Sequence, residues 1–167
     1  MEKTLVAYFS ATGATKRLAE KIANTINADI FEIKPAEEYT KEDLRWPSRN
    51  NRSFVEMKDK NFRPKIKDGI IDMDDYDEIF LGFPIWYFTA PSIINTFIEQ
   101  NDFRGKRVYV FATSGVNNAD KSFKDLQNTY PYINFVSGKR FRCAFYPNDL
   151  FNWLRECENE NVIQLKK

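Results

Sequence analysis

The chain has 167 residues, with 25 basic and 24 acidic side chains for a net charge of +1; 43% of it is apolar and 16% aromatic. That length and composition describe one domain with a full core and not a disordered chain, and the balanced charge gives no global pull toward nucleic acid or a membrane surface. The chain has no histidine, which excludes histidine-dependent general base catalysis, serine–histidine triads and most zinc sites.

Cys143 and Cys157 stand 14 positions apart without a pairing or metal-ligand pattern, so reduced thiols in a cytoplasmic protein are expected. Only Met1–Lys3 precede the first apolar run, and no run approaches a membrane span. Neither a signal peptide nor a membrane anchor is expected.

Thr4–Phe9 is a strand-forming apolar run that stops at Ser10-Ala-Thr-Gly-Ala-Thr15. Beyond it Leu18, Ala19, Ile22, Ala23 and Ile26 recur at helical spacing. Strand, small hydroxylated loop and helix in that order suit an anion. The first N–H groups of a helix have no internal partner, the macrodipole adds positive potential, and Gly13 lets the backbone approach closely. The alternative is an ordinary Ser/Thr cap. No Lys follows the glycine, which excludes a nucleotide-hydrolysing phosphate loop, and no Cys lies in the loop, which excludes a cysteine phosphatase.

Asp29–Lys34 alternates as a half-buried strand would, and Pro35 ends it. The connection from Ala36 to about Tyr76 is long and irregular, with a helical turn or two expected around Phe54–Lys60. Lys41–Lys67 carries nine basic and four acidic residues, and Asp68–Glu78 six acidic and none basic. These read as solvated stretches of opposite sign, and the Asp72–Asp77 cluster fits no calcium spacing, so no metal site is expected.

Ile79–Phe83 is apolar without alternation, the pattern of a central parallel strand buried on both faces. After the loop Pro84–Thr89, Pro91 is expected in the first turn of a helix with Ala90 near its cap, and Ile93, Ile94, Phe97 and Ile98 form the buried face. Val108–Thr113 is a further strand. Ser122–Asp125 has the spacing of a capping box for a helix to about Tyr130. Ile133–Val136, extending toward Phe141, is the fifth strand, and Asn148 is expected to cap a helix from Asp149 to about Cys157. A frayed tail over residues 158–167 would complete a single domain of 1–167.

Strand–helix units repeated in this way build a parallel sheet with helices on both faces, and ligands bind beyond the carboxyl ends of its strands. Three loops would meet there: Ser10–Thr15, Pro84–Thr89 and Thr113–Asn118. The second presents Trp86 and Tyr87, flat apolar walls for a ring system, while Phe88 is expected to be buried.

Those residues carry a resemblance. The first loop matches the flavodoxin pattern Ser/Thr-x-Thr-Gly-x-Thr at every defined position. Gly82-Phe-Pro-Ile-Trp86, Thr113-Ser-Gly115, Tyr39–Trp46 with Ser48-Arg49, and Tyr76-Asp77 resemble a compact FMN-binding group of that family. The resemblance implies a flavodoxin-like three-layer α/β sandwich with a five-stranded parallel sheet of order 2-1-3-4-5. It further implies FMN held at its phosphate by Ser10, Thr12, Gly13, Ala14 and Thr15. Pro84, Ile85, Trp86 and Tyr87 would line the isoalloxazine, and Thr113, Ser114 and Gly115 would reach its edge and the ribityl chain. No side chain is expected to be catalytic, because the cofactor supplies the chemistry.

The third loop departs from the glycine-rich form common in related proteins, reading Gly115-Val-Asn-Asn-Ala119. β-Branched Val116 disfavours positive φ, which puts the redox behaviour more in question than the binding. The function implied is electron transfer, or NAD(P)H-linked reduction of a small acceptor such as a quinone, by an FMN-dependent oxidoreductase or a flavodoxin-type carrier. The electron donor, NAD(P)H or a reductase, and the acceptor stay open, as does monomer against homodimer. No nucleic acid or membrane partner is expected. A different class of function, a flavin-free interaction or anion-sensing module on the same fold, would call for a disrupted loop or a missing aromatic wall.

Overall fold

In the computed structural model, residues 2–45, 48–115 and 118–165 are described, the side chains of 161–165 excepted. Five parallel strands form the central sheet: β1 (Thr4–Tyr8), β2 (Asp29–Glu32), β5 (Glu78–Pro84), β6 (Arg107–Thr113) and β7 (Asn134–Phe141). They lie in the order β2-β1-β5-β6-β7, which is second, first, third, fourth, fifth along the sheet's own strands. A register shift between Val108 and Tyr109 leaves one extra residue, Val136, in β7 against β6.

Side-chain alternation sorts the core into two layers. Leu5, Ala7, Ile79, Leu81, Val108 and Val110 face α3 (Ser92–Gln100) and α4 (Asp120–Thr129). Val6, Tyr8, Phe80, Tyr109 and Phe111 face α1 (Ala14–Ile26) and α5 (Pro147–Leu165). The central strands are therefore apolar on both faces, which is why Ile79–Phe83 lacks alternation. Gly82 is required by packing: a Cβ there would lie 2.1 Å from the Phe111 ring.

Several local expectations need correction. The second strand ends at Glu32, and the Ile33 N–H turns back to the Tyr8 carbonyl. Lys34–Pro35 (β3) instead pairs antiparallel with Ile66–Lys67 (β4), so the long connection closes as a small ribbon, with α2 (Arg52–Lys58) inside it. Pro91 caps α3 from outside, where Ala90 was expected. Helix α4 starts at Asp120, before the supposed capping box. Ser122 lies inside the helix and donates to the Ala119 carbonyl, while Asn118 accepts from the Asp120 N–H. The last helix begins at Pro147, so Asn148 lies within it, and it continues past Cys157 to Leu165, through much of the expected frayed tail.

Among the described residues no helix is long and apolar enough to cross a membrane.

Candidate functional site

The carboxyl ends of the strands are stitched together by backbone hydrogen bonds that continue the sheet into its loops. Phe9 N–H donates to Gly82 O (3.0 Å), Ile85 N–H to Thr113 O (3.0 Å), and Ser114 N–H to Phe141 O (3.1 Å). The three loops singled out in the sequence are thereby brought to one edge.

In the first loop, Gly13 stands at φ 99° and caps α1 without a side-chain bond. This is a left-handed conformation natural to glycine, and any side chain here would be strained. Ser10 Oγ accepts from the N–H groups of Gly13 and Lys16, both at 3.1 Å, and fixes the curl of the loop. Among the described residues no acceptor takes the N–H groups of Thr12, Ala14 or Thr15. Donors left without an acceptor at a helix start are what an anion requires. Thr15 is buried, and its hydroxyl meets that of Thr113 at 2.8 Å, tying the first loop to the third.

The third loop begins with Thr113 and Ser114 buried and Gly115 exposed. Arg140 on β7 points Nη2 at the carbonyls of Ser114 (3.3 Å) and Gly115 (3.4 Å), and its Nε is buried with no hydrogen-bond partner among the described residues. A cation is thus set directly beneath this loop. Val116 and Asn117, on which the expected departure turns, lie outside the described residues.

The second loop differs most from its sequence reading. Trp86 and Thr89 exchange backbone hydrogen bonds of 2.9 and 3.0 Å. Between them Tyr87 and Phe88 have φ 49° and 67°. A two-residue turn with both central residues at positive φ favours Asn and Gly, and aromatic residues there cost roughly 1–2 kcal/mol each. Trp86 is not a free loop tip. It packs half-buried and edge-on against Phe9 (5.4 Å between ring centres) and Tyr39 (5.1 Å). Tyr87 leans toward α2, its hydroxyl 3.2 Å from Ser53 Oγ and its ring against Phe54. Phe88, expected to be buried, is 54% exposed, because the positive φ turns it outward. Pro84 and Ile85 are half-buried beneath the turn.

Behind Trp86 lies a group of residues that the sequence reading did not assign to the site. Tyr39 donates to Glu56 (2.5 Å), Arg52 Nε donates to the other Glu56 oxygen (2.7 Å), and the Arg52 guanidinium sits 3.9 Å from the Tyr39 ring centre. Glu56 is buried, so the network matches a buried carboxylate with a cation and a hydroxyl donor. Burial, and then the hydrogen bond and charge of Glu56, push the Tyr39 phenol well above its ordinary range, so it stays protonated. The spacing of Arg52 and Glu56, four residues apart on a short helix, was the available signal for this network. Trp46, also part of the resemblance, lies outside the described residues.

A cavity of about 450 Å³ opens beside the first loop, lined among others by Phe9, Ser10, Ala11 and Tyr39. Among the described residues no cluster of His, Cys, Asp or Glu could hold a metal ion.

A family model described as Flavodoxin matches residues 3–157. Two solved structures described as flavoproteins are similar over most of their length. One from Bacteroides uniformis is 44% identical over 92% of this chain and 98% of its own, with a TM-score of 0.89. One from Bacteroides eggerthii is 43% identical over 93% and 97%, with a TM-score of 0.87. A flavoprotein from Lactobacillus acidophilus, solved in complex with FMN, is 26% identical over 84% and 93%, with a TM-score of 0.67. Comparison with curated proteins gave no match.

Proposed function

Because the chain belongs to the flavodoxin family, we propose that it binds FMN at these three loops and works as an FMN-dependent oxidoreductase, moving electrons from NAD(P)H to a small acceptor such as a quinone. The observation that carries the reading is the first loop: three N–H groups, of Thr12, Ala14 and Thr15, without an acceptor among the described residues, at the start of α1 around a left-handed Gly13. These groups, with the Ser10 and Thr12 hydroxyls, would take the FMN phosphate. The FMN in the Lactobacillus acidophilus relative supports the same choice of ligand.

The isoalloxazine would lie against Trp86 with Pro84, Ile85 and Tyr87, and Thr113, Ser114 and Gly115 would meet its edge and the ribityl chain. When bound, the flavin supplies the two-electron chemistry. NAD(P)H gives up a hydride, and the quinone takes two electrons and two protons, the second proton coming from solvent. The chain's own residues bind, orient and set the field. Tyr39 stays protonated and braces the Trp86 wall. Arg140, beneath the Ser114 and Gly115 carbonyls, adds positive potential that favours an electron-rich cofactor. With the net charge of +1, this supports a reductase over a very low-potential carrier.

The test is calorimetric titration with FMN and riboflavin, joined to a redox titration. Gly13→Val should weaken FMN far more than riboflavin, because it obstructs the phosphate cradle. Equal losses for both ligands would remove the phosphate assignment. A bound cofactor as hard to reduce as that of strongly acidic flavodoxins would favour the carrier reading. A protein that takes up no flavin would favour the anion-sensing module.

A further inference from the structure

A second cavity, of about 350 Å³, adjoins the far side of the Trp86–Thr89 turn. Its size falls within the range of ligand clefts, about 300–1,000 Å³. Three segments remote in sequence enclose it: the end of α2 with the basic connection, the turn leading into α3, and α4. Its charged groups are Lys60, Arg63, Lys121 and Asp125.

The one carboxylate is already engaged. Asp125 Oδ2 accepts from Lys121 Nζ and from Thr89 Oγ1, both at 2.6 Å. Burial would raise its pKa, but these bonds and the charges of Lys121 and Lys60 outweigh it and hold Asp125 ionised below its ordinary value. Arg63 is fixed at the wall by Glu99 and by the carbonyls of Lys60 and Phe62. Among the described residues no carboxylate pairs with the Lys60 ammonium. Asn128 adds an amide to the wall, and Asn95 Nδ2 already donates to the Tyr130 hydroxyl at 3.0 Å. Arg63 is matched by Glu99 and Lys121 by Asp125, so Lys60 carries the excess positive charge of a cation-lined cleft, a chemistry that attracts phosphate.

We propose that this cavity binds the phosphorylated nucleotide portion of the electron donor, a nucleoside phosphomonoester seated between Lys60, Arg63 and Lys121. The proposal rests on the flavin reading for its purpose. Tyr87 belongs both to the cavity wall and to the turn that carries Trp86, so a nucleotide held there lies against the loop assigned to the flavin. Met57, Ala90 and the Tyr87 ring supply an apolar side, which a ribose and base can cover and a free inorganic anion cannot.

The test is calorimetry on the purified protein with 2′,5′-ADP, adenosine and inorganic phosphate as probes, at low and moderate salt. The 2′,5′-ADP should bind at least tenfold tighter than adenosine or phosphate and weaken as salt rises. Lys60→Gln with Lys121→Gln should weaken it by roughly tenfold or more, leaving FMN affinity and the flavin spectrum unchanged. Equal affinity in the wild type and the double variant would overturn the proposal, as would adenosine binding as tightly as 2′,5′-ADP. Phosphate binding as well as the nucleotide would reassign the cavity to a free anion and overturn it too. Failure of the flavin reading is read separately, as absence of FMN uptake in the same samples.

Discussion

The Thr15–Thr113 hydroxyl pair is the most direct test of how the site is assembled, because it joins two loops 98 residues apart in sequence across 2.8 Å. Both residues are buried, at 1% and 3% exposure. Thr15→Val keeps the shape and removes the hydroxyl, leaving the Thr113 hydroxyl buried without its partner. A buried polar group so orphaned costs about 1–3 kcal/mol, whereas replacing both partners by apolar groups of the same shape is nearly neutral. Each single variant should therefore lose about 1–3 kcal/mol. The double variant Thr15→Val with Thr113→Val should recover much of that, giving a coupling of about 2–3 kcal/mol. Urea denaturation of the flavin-free protein measures it, with midpoints falling by roughly 0.5–1.5 M in the single variants at ordinary slopes. Thr15→Val should also weaken FMN more than riboflavin, since the residue opens α1. Losses that simply add would mean that the pair does not hold the loops together, and the reasoning from burial would fail.

Trp86→Ala should lower stability by roughly 2–3 kcal/mol, less than a fully buried aromatic, because it removes the edge-on contacts with Phe9 and Tyr39. It should also weaken FMN, and FMN should quench Trp86 fluorescence in the wild type; a variant with normal FMN affinity would free Trp86 of any role at the flavin. Phe88→Gly should raise the denaturant midpoint by the equivalent of about 0.5–1 kcal/mol, by relieving an exposed residue held at φ 67°; a lower midpoint would show that the ring contributes packing. Burial pushes the Cys157 thiol up to about 12 from its ordinary 9. The unfolded chain therefore loses that proton first, and stability should fall as pH rises from about 9 toward 12. Cys157→Ala should flatten that limb, and a thiol reagent near neutral pH should modify exposed Cys143 but reach buried Cys157 only in denaturant.

What the sequence conveyed well was whatever depends on local pattern. The unbroken apolar runs Leu5–Phe9, Ile79–Phe83 and Val108–Ala112 are the strands with both faces covered. The glycine in Ser10–Thr15 marks a real left-handed turn. What it conveyed poorly depends on long-range pairing. Nothing in Lys34-Pro35 announces an antiparallel partner at Ile66–Lys67, because a two-residue ribbon has no period to read. The starts of α3 at Ser92 and α4 at Asp120 were displaced because a capping pattern competes with whatever backbone the preceding loop imposes. The site shows the same division. The loop positions of Trp86 and Tyr87 could be read, but their directions could not. A turn with positive φ at Tyr87 and Phe88 contradicts local preference, and contacts from α2 and Asp125, which lie far away in sequence, help to hold it.

That contradiction suggests why the long connection exists. Holding Tyr87 and Phe88 at positive φ costs roughly 2–4 kcal/mol in total. Opposing it are the two Trp86–Thr89 backbone bonds, the Thr89–Asp125 bond and the contact of the Tyr87 hydroxyl with Ser53, each worth a net ~0.5–1.5 kcal/mol. The two sums are of similar size, so the turn holds its shape only while its neighbours hold theirs. Ser53 stands on α2 beside Arg52, and α2 also carries Glu56, which anchors Tyr39 behind Trp86. One short helix in the connection therefore braces the aromatic wall from behind and restrains the turn from its tip. The sheet edge alone sets the first and third loops, through Thr15 and Thr113. The second loop depends on residues between β3 and β4, and its geometry should follow any change made there.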